Sequence, residues 1–147
     1  MKASIFQLRV CANLACMAAV LRVAQAFLDN VAASAQKKIV TLTSGAGSLA
    51  AVGQAHDNYF YRMSKSASNM SMLLLQNGVR ARGVIVALVS PGPVDTQMNR
   101  EWRHGAPPPP TLLSPMESAS AVVAVIEQLT AERAAHALNY DGREIPW

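Results

Sequence analysis

Two short segments of the chain, KIVTLT at 38–43 and GVIVALV at 83–89, are almost continuously apolar. Both are rich in β-branched residues, a pattern typical of strands covered on both faces, as in a parallel sheet. The final segment, ALNYDGREIPW at 137–147, predicts a short strand, a turn and an anchored aromatic end. The apolar pattern therefore predicts three strands.

Apolar residues elsewhere recur with the period of a helix. This pattern predicts a long helix over residues 10–33, a second over 59–77 and a third over 116–130. Gly78 is suited to the C-terminal cap of the second helix. The resulting order is helix, strand, helix, strand, helix, strand, which predicts an α/β sandwich with parallel strands.

One long segment, residues 97–115, shows neither period and contains four consecutive prolines. We expect no regular structure there, because proline cannot donate a backbone hydrogen bond. A long irregular segment inside a compact domain is usually a functional lid or a disordered stretch.

Composition narrows the class of protein. The 147 residues fit one domain, 1–147, and 51% hydrophobic with 15% charged residues predicts a large buried fraction. The net charge is +4, but the basic residues are scattered, so we expect no nucleic-acid partner. Two cysteines are too few for a disulfide framework, and three histidines lack metal-ligand spacing, so no metal site is expected.

The amino terminus allows two interpretations. Residues 1–9 are basic, residues 10–21 are apolar, and AQA at 24–26 resembles a signal-peptidase site. Against export, the helical pattern continues through these residues. Against a membrane span, Arg22 interrupts the apolar run before the about 20 residues that such a span needs. We therefore expect a cytoplasmic protein with no transmembrane segment.

The segment YRMSKSASN at 61–69 places a phenol and an ammonium four residues apart. On a helix, Tyr61 and Lys65 would be surface neighbours. A phenol normally keeps its proton to about pH 10, and an adjacent cation favours its anion. The pair is therefore a candidate proton-transfer device. The alternative is a surface tyrosine beside a solvated lysine.

Candidate chemistry also follows two of the predicted strands. Ser44 comes after the first, and SPGPVDT at 90–96 comes after the second. Ligands of open α/β sheets bind outside the carboxyl ends of the strands, so these groups should share a crevice. GAGSLA at 45–50 matches a dinucleotide fingerprint, but Gly53 interrupts the expected helix and 63–72 contains no acidic residue. A loop that presents Ser44 explains these glycines better.

Ser44, Tyr61, Lys65 and PGPVDT, in this order, resemble the carboxyl-terminal half of a short-chain dehydrogenase/reductase. TSGAGS, YRMSKSASNM, SPGPVDTQM and YDGREIPW are further similar to the C-factor-like branch, which includes carbonyl reductases. The resemblance covers about Val10 to Trp147.

This resemblance implies an NAD(P)-dependent oxidoreductase that transfers hydride between nicotinamide and a small carbonyl or alcohol substrate, with NADP or NAD as cofactor. Tyr61 would be the general acid/base, Ser44 would donate a hydrogen bond to the substrate oxygen, and Lys65 would assist the phenol. The cofactor would contact six residues, Tyr61, Lys65, Pro91, Gly92, Val94 and Thr96. Residues 97–116 would cover the substrate.

Each of these residues also has a purely structural interpretation. Ser44 could only cap a turn, Thr96 could be a helix N-cap, and PGP is a rigid turn in many proteins.

The resemblance further implies a partial Rossmann-like three-layer sandwich whose amino-terminal nucleotide-binding half is missing, because nothing before residue 10 supplies a glycine-rich turn. The family's helix asparagine falls at Cys16, with Asn13 one turn earlier as the alternative. A homodimer or homotetramer is implied as well. The alternative function is a non-catalytic, truncated or degenerate module that only dimerises.

Overall fold

The computed structural model describes residues 18–103 and 105–147. Three strands form one parallel sheet in the order β1 (Lys38–Leu42), β2 (Ile85–Ser90) and β3 (Ala137–Asn139). All three predicted strands are confirmed. Strand β2 begins two residues after the start of the apolar run at 83–89 and ends one residue beyond the end of that run.

Strand β2 is central and buried, and its alternate side chains enter two different cores because successive residues of a strand face opposite ways. Val86 and Leu88 pack with Met72 and other residues on one face of the sheet. Ala87 and Val89 pack on the other face, with a cluster whose further buried members are Val122, Val125, Leu129 and Leu138. The predicted three-layer α/β sandwich is confirmed.

The helix predicted over residues 10–33 is divided within its described part. Helix α1 covers residues 18–26, a turn follows at Phe27, and α2 is Leu28–Ala33. Residues 10–17 lie outside the described residues. The prediction of one continuous helix is therefore wrong at Phe27, whose backbone leaves the helical region with φ −98° and ψ 3°.

Helix α3 is Tyr59–Val79, and a 3₁₀ turn, Arg80–Arg82, extends it. Gly78 was predicted as its C-terminal cap, and this is wrong because Gly78 lies inside the helix. The left-handed residue that ends it is Gly83, with φ +69°. Val79 is 3% exposed and packs into the core, so burying it favours the additional turn.

The segment predicted to lack regular structure contains a short helix, α4 (Gln97–Trp102). Thr96 is its N-cap, and its Oγ1 accepts a hydrogen bond from Asn99 N at 3.2 Å. The prediction is wrong for these residues because the cap satisfies a backbone donor in the first turn.

Helix α5 (Pro115–Glu127) confirms the last predicted helix, although its carboxyl end comes earlier than residue 130. It begins with a capping box, in which Ser114 and Glu117 satisfy each other's backbone N–H groups. No helix in residues 18–103 and 105–147 combines the length and hydropathy needed to cross a membrane.

Candidate active site

The carboxyl ends of β1 and β2 open into a cavity of about 620 Å³, within the usual range for small-molecule sites. The predicted site residues Ser44, Tyr61, Pro91, Gly92, Val94 and Thr96 all line it. Lys65 is not among the lining residues. The other described residues of the wall include Thr43, Ala51, Arg62, Ser90, Met98, Asn99, Trp102 and Asn139.

Tyr61 and Lys65 are neighbours on α3, as their spacing predicted. The Lys65 Nζ lies 5.8 Å from the centroid of the Tyr61 ring. Nζ also donates a hydrogen bond to the Leu42 carbonyl at 3.2 Å, at the end of β1. The ammonium therefore joins the helix that carries the phenol to the strand that precedes Ser44.

Ser44 starts the 3₁₀ turn Gly45–Gly47, and its Oγ accepts a hydrogen bond from Ala46 N at 3.2 Å. Ser44 therefore does cap a turn, which is the structural role that the sequence also allowed for it. A serine hydroxyl has one donor and two acceptor positions, so accepting this bond leaves its proton available to a ligand in the cavity.

Gly47 lets the Ser44 turn approach α3 closely. A Cβ on Gly47 would lie 2.9 Å from both the Lys65 Cβ and the Asn69 Nδ2. Ser66 Oγ donates to the Gly47 carbonyl at 2.8 Å, which holds the turn in this place. Backbone packing thus sets the position of Ser44 relative to the helix of Tyr61.

A second link joins the same two elements. The Thr43 hydroxyl donates to the Asn69 Oδ1 at 2.5 Å, and both residues are buried. Asn69 is four residues beyond Lys65, so Tyr61, Lys65 and Asn69 follow one face of α3. This face therefore contacts Leu42, Thr43 and, in the turn that follows, Gly47.

The turn after β2 is also held from several sides. Ser118 Oγ donates to the Pro91 carbonyl at 2.7 Å, and Leu113 N donates to the Pro93 carbonyl at 2.8 Å. Gly92 has φ +75°, a backbone conformation that favours glycine. The turn leads into α4. Arg100 of α4 forms an ion pair with Asp95 of the turn at 2.8 Å, and this guanidinium holds the pKa of the Asp95 carboxyl below its usual range.

Helix α4 closes one side of the cavity. Its Trp102 ring meets the Tyr61 ring edge to face, with centroids 5.4 Å apart and planes at 69°. Trp102 Nε1 lies 3.4 Å from the Asp57 Oδ2, and Asp57 also forms an ion pair with Arg62 at 2.9 Å. These contacts fix part of the segment that was predicted to cover the substrate.

Sequence reasoning missed four residues that shape this site: Thr43, Asn69, Trp102 and Tyr140. The Tyr140 ring lies where a Cβ on Gly92 would stand. The repeated four-residue spacing from Tyr61 could have indicated Asn69, and Tyr140 directly follows a strand end. Trp102 is 41 positions from Tyr61 in the sequence, and no local pattern predicts their contact. Asn13 and Cys16 lie outside the described residues, as does His104.

No group of three or more His, Cys, Asp or Glu side chains in the described part of the chain could hold a metal ion. A parallel sheet covered by helices on both faces, with a ligand-sized cavity at the strands' carboxyl edge, defines a Rossmann-like α/β protein. Comparison with known proteins makes the class more specific.

The family model described as short chain dehydrogenase matches residues 11–107. C-signal of Myxococcus xanthus is 35% identical over 127 residues, which cover 86% of this chain and 71% of C-signal. This chain belongs to the short-chain dehydrogenase/reductase family, and the predicted resemblance is confirmed.

Solved structures of carbonyl reductases share the fold. An NADPH-bound carbonyl reductase from chicken fatty liver superposes with a TM-score of 0.77 at 28% identity, over 88% of this chain and 53% of that one. The carbonyl reductase Sniffer of D. melanogaster gives a TM-score of 0.72 at 25% identity, over 87% and 52%. The chain thus spans about half the length of these reductases.

Proposed function

We propose that this chain is an NAD(P)-dependent oxidoreductase that transfers hydride between nicotinamide and a carbonyl or alcohol, with Tyr61 as general acid/base. One observation carries the proposal: Tyr61, Ser44 and the turn from Pro91 to Thr96 line the same cavity. Family membership and the likeness to carbonyl reductases support this reaction class.

In the direction of carbonyl reduction, the Tyr61 phenol donates its proton to the substrate oxygen as the carbonyl carbon is reduced. The Ser44 hydroxyl donates a hydrogen bond to the same oxygen, where negative charge develops. In alcohol oxidation Tyr61 accepts the proton instead. The position of this phenol and this hydroxyl in the wall of one cavity supports these proposed roles.

Lys65 is proposed to place positive charge beside the phenol and to hold the ribose hydroxyls of the cofactor. Its Nζ is 5.8 Å from the Tyr61 ring and is held by the Leu42 carbonyl. This hydrogen bond supports the role by fixing the ammonium near both the phenol and the Ser44 turn.

The residues present fit a nicotinamide ring and its carboxamide. Gly92 and Val94 give this part of the cavity wall an apolar surface. The Thr96 hydroxyl accepts from Asn99 N and keeps its proton to donate to an amide oxygen. When bound, NADH or NADPH would supply the hydride for carbonyl reduction, and NAD⁺ or NADP⁺ would accept it in alcohol oxidation. An NADPH-bound carbonyl reductase of the same fold supports this cofactor class.

Residues 97–116 are proposed to cover the substrate. Helix α4 contributes Met98, Asn99 and Trp102 to the cavity wall, and Leu113 pairs with Val94 in a parallel β-bridge. The segment therefore contacts the proposed cofactor turn at one end and Tyr61 at the other.

We also propose that the chain is cytoplasmic and that it self-associates. Tyr59, Met63, Met70 and Leu74 form an exposed apolar stripe on one face of α3, which we call the α3 stripe. A surface of this kind is typical of protein–protein contacts, and it supports a homodimer or homotetramer.

The test follows NADPH absorbance with a small ketone and the purified chain. We expect consumption of NADPH, and Tyr61→Phe should lower kcat by about a hundredfold or more because the proton donor is lost. Tyr59→Phe is the matched control, since Tyr59 is on the same helix but 65% exposed and outside the cavity wall. No consumption by the unaltered chain, or full activity in Tyr61→Phe, would refute the proposal.

A further inference from the structure

Trp102 occupies a position for which the proposed reaction gives no role. Its indole lines the cavity and stands edge to face against the ring of Tyr61, the proposed proton donor. An aromatic pair in this geometry is more favourable than its buried area alone implies. The indole is therefore part of the surface that a substrate meets beside the reacting oxygen.

Contacts outside the cavity hold this indole in place. Its Nε1 lies 3.4 Å from the Asp57 Oδ2, and Asp57 is itself held by Arg62 at 2.9 Å and by Asn58 Nδ2 at 2.7 Å. Thr96 caps the amino end of α4, and Arg103 Nε donates to Asn99 Oδ1 at 3.1 Å near its carboxyl end. Trp102 is thus positioned by α4 on one side and by Asp57 on the other.

The charge of the cavity limits the ligands that it would favour. Among the described residues of the wall, Arg62 is the one charged side chain, and it is paired with Asp57. A carboxylate or phosphate on the substrate would therefore compete with Asp57 for this guanidinium. Met98 and Ala51 join Trp102 in offering apolar surface instead.

We infer that Trp102 is a specificity-determining residue, whose Asp57-anchored indole selects uncharged carbonyl substrates that carry a planar, aromatic group. The inference rests on the proposed function and deepens it. A flat group can lie against the indole beside Tyr61, whereas a puckered saturated ring of the same carbon count contacts it over a smaller area. The difference is expressed as selectivity between two substrates of similar size.

The kinetic test compares acetophenone with cyclohexyl methyl ketone. We expect the ratio of their kcat/KM values to fall about tenfold in Trp102→Leu, which is the usual effect of losing apolar contact in a pocket. Comparing ratios between variants cancels the different intrinsic reactivity of the two ketones. Trp102→Phe should retain most of the preference because it keeps an aromatic face.

Trp147→Leu is the matched control, since it makes the same substitution at the other tryptophan of the chain, outside the cavity wall. Its ratio should equal that of the unaltered chain. An unchanged ratio in Trp102→Leu, with turnover of both ketones, would overturn the inference while leaving the oxidoreductase in place.

A binding measurement tests the inference without turnover. The chain has two tryptophans, so Trp147→Phe leaves Trp102 as the single indole fluorophore. With NADP⁺ present, we expect acetophenone to quench its emission saturably and cyclohexyl methyl ketone to quench it much less. The reciprocal variant, Trp102→Phe, should show only linear collisional quenching of Trp147.

Equal quenching of the two single-tryptophan variants by acetophenone would overturn the inference. Saturable quenching of Trp102 together with no NADPH consumption by the unaltered chain would refute the proposed oxidoreductase instead. The indole would then remain a binding surface for planar ligands. The two failures are therefore distinguishable.

Discussion

The ring of Tyr140 fills the space that a side chain at position 92 would occupy. A Cβ on Gly92 would lie 2.6 Å from the Tyr140 Cε1 and in contact with its Cδ1. Tyr140 follows β3, and Gly92 lies in the turn after β2, so this packing joins two adjacent strand ends. The turn proposed to hold nicotinamide is therefore shaped by a residue from the carboxyl terminus of the chain.

Gly92→Ala should be strongly destabilising. The substitution adds the cost of a positive φ, about 1–2 kcal/mol, to that of displacing a packed ring, about 1–3 kcal/mol. The free energy of unfolding in urea measures the sum. Gly142→Ala is the control, because Gly142 has φ +78° but no described atom lies within 4 Å of the place where its Cβ would stand. It should therefore show the backbone cost alone. Equal losses in both variants would contradict the packing role of Tyr140.

Gly47→Ala should move the Ser44 turn away from α3. Its Cβ would meet the Lys65 Cβ and the Asn69 amide at 2.9 Å, so the backbone of the turn must shift. We expect lower kcat for ketone reduction together with a lower melting temperature. Gly45→Ala changes the same turn where no described atom lies within 4 Å, so it should leave the melting temperature nearly unchanged. A melting temperature lowered as much by Gly45→Ala as by Gly47→Ala would contradict this explanation.

Thr43→Val should cost about 1–3 kcal/mol of unfolding free energy, because the buried Asn69 Oδ1 loses its hydrogen-bond donor. Valine has nearly the same shape, so the packing at the end of β1 should be retained. Thr41→Val, inside β1 and two residues earlier, controls for the substitution itself. Chemical denaturation of the three proteins gives the comparison, and a smaller loss in Thr43→Val than in Thr41→Val would exclude a stabilising role for this bond.

Acidification should release Trp102 from Asp57. Hydrogen bonds from Arg62, then from Asn58 and Trp102, hold the pKa of the Asp57 carboxyl below its usual 3.8. A carboxyl whose pKa is lower in the folded protein stabilises the fold above its unfolded pKa, and this contribution is lost as pH falls through the folded value. The emission of Trp102 in Trp147→Phe should therefore change below pH 3.8. As the pH is lowered, this change should come before the loss of helix signal that far-ultraviolet circular dichroism reports on unfolding.

Asp57→Asn is the control for this titration. It keeps the size of the side chain but cannot ionise, so the acid transition of Trp102 emission should disappear. A transition of the same midpoint in Asp57→Asn would assign the effect to another group.

Leu74→Glu should weaken self-association if the α3 stripe is the contact surface. Leu74 is 62% exposed, and a charge there would have to be desolvated on binding. Size-exclusion chromatography with light scattering should show a shift towards monomer. Leu49→Glu provides the comparison, because Leu49 is 76% exposed but lies outside α3. An unchanged oligomer in Leu74→Glu would place the contact elsewhere.

Local pattern was enough to predict much of the fold. Strands β1 and β2 follow from their continuous apolar composition, and the Tyr61–Lys65 contact follows from helical spacing. The end of α3 did not follow, because Gly78 and Gly83 are both plausible caps and the burial of Val79 decided between them. The sequence did offer Thr96 as a possible N-cap, but the six residues of α4 are too few to show a helical period beside a proline-rich segment.

By itself the sequence determined which groups are available for chemistry and that two of them follow strand ends, because apolar periodicity and turn residues act over a few positions. The tertiary structure alone decided that Trp102 stands against Tyr61, that Asn69 holds Thr43, and that Tyr140 packs on Gly92. These pairs are far apart along the chain, and their contacts depend on how three strands and the helices around them pack together. Such packing is a property of the whole fold, and no short window of residues encodes it.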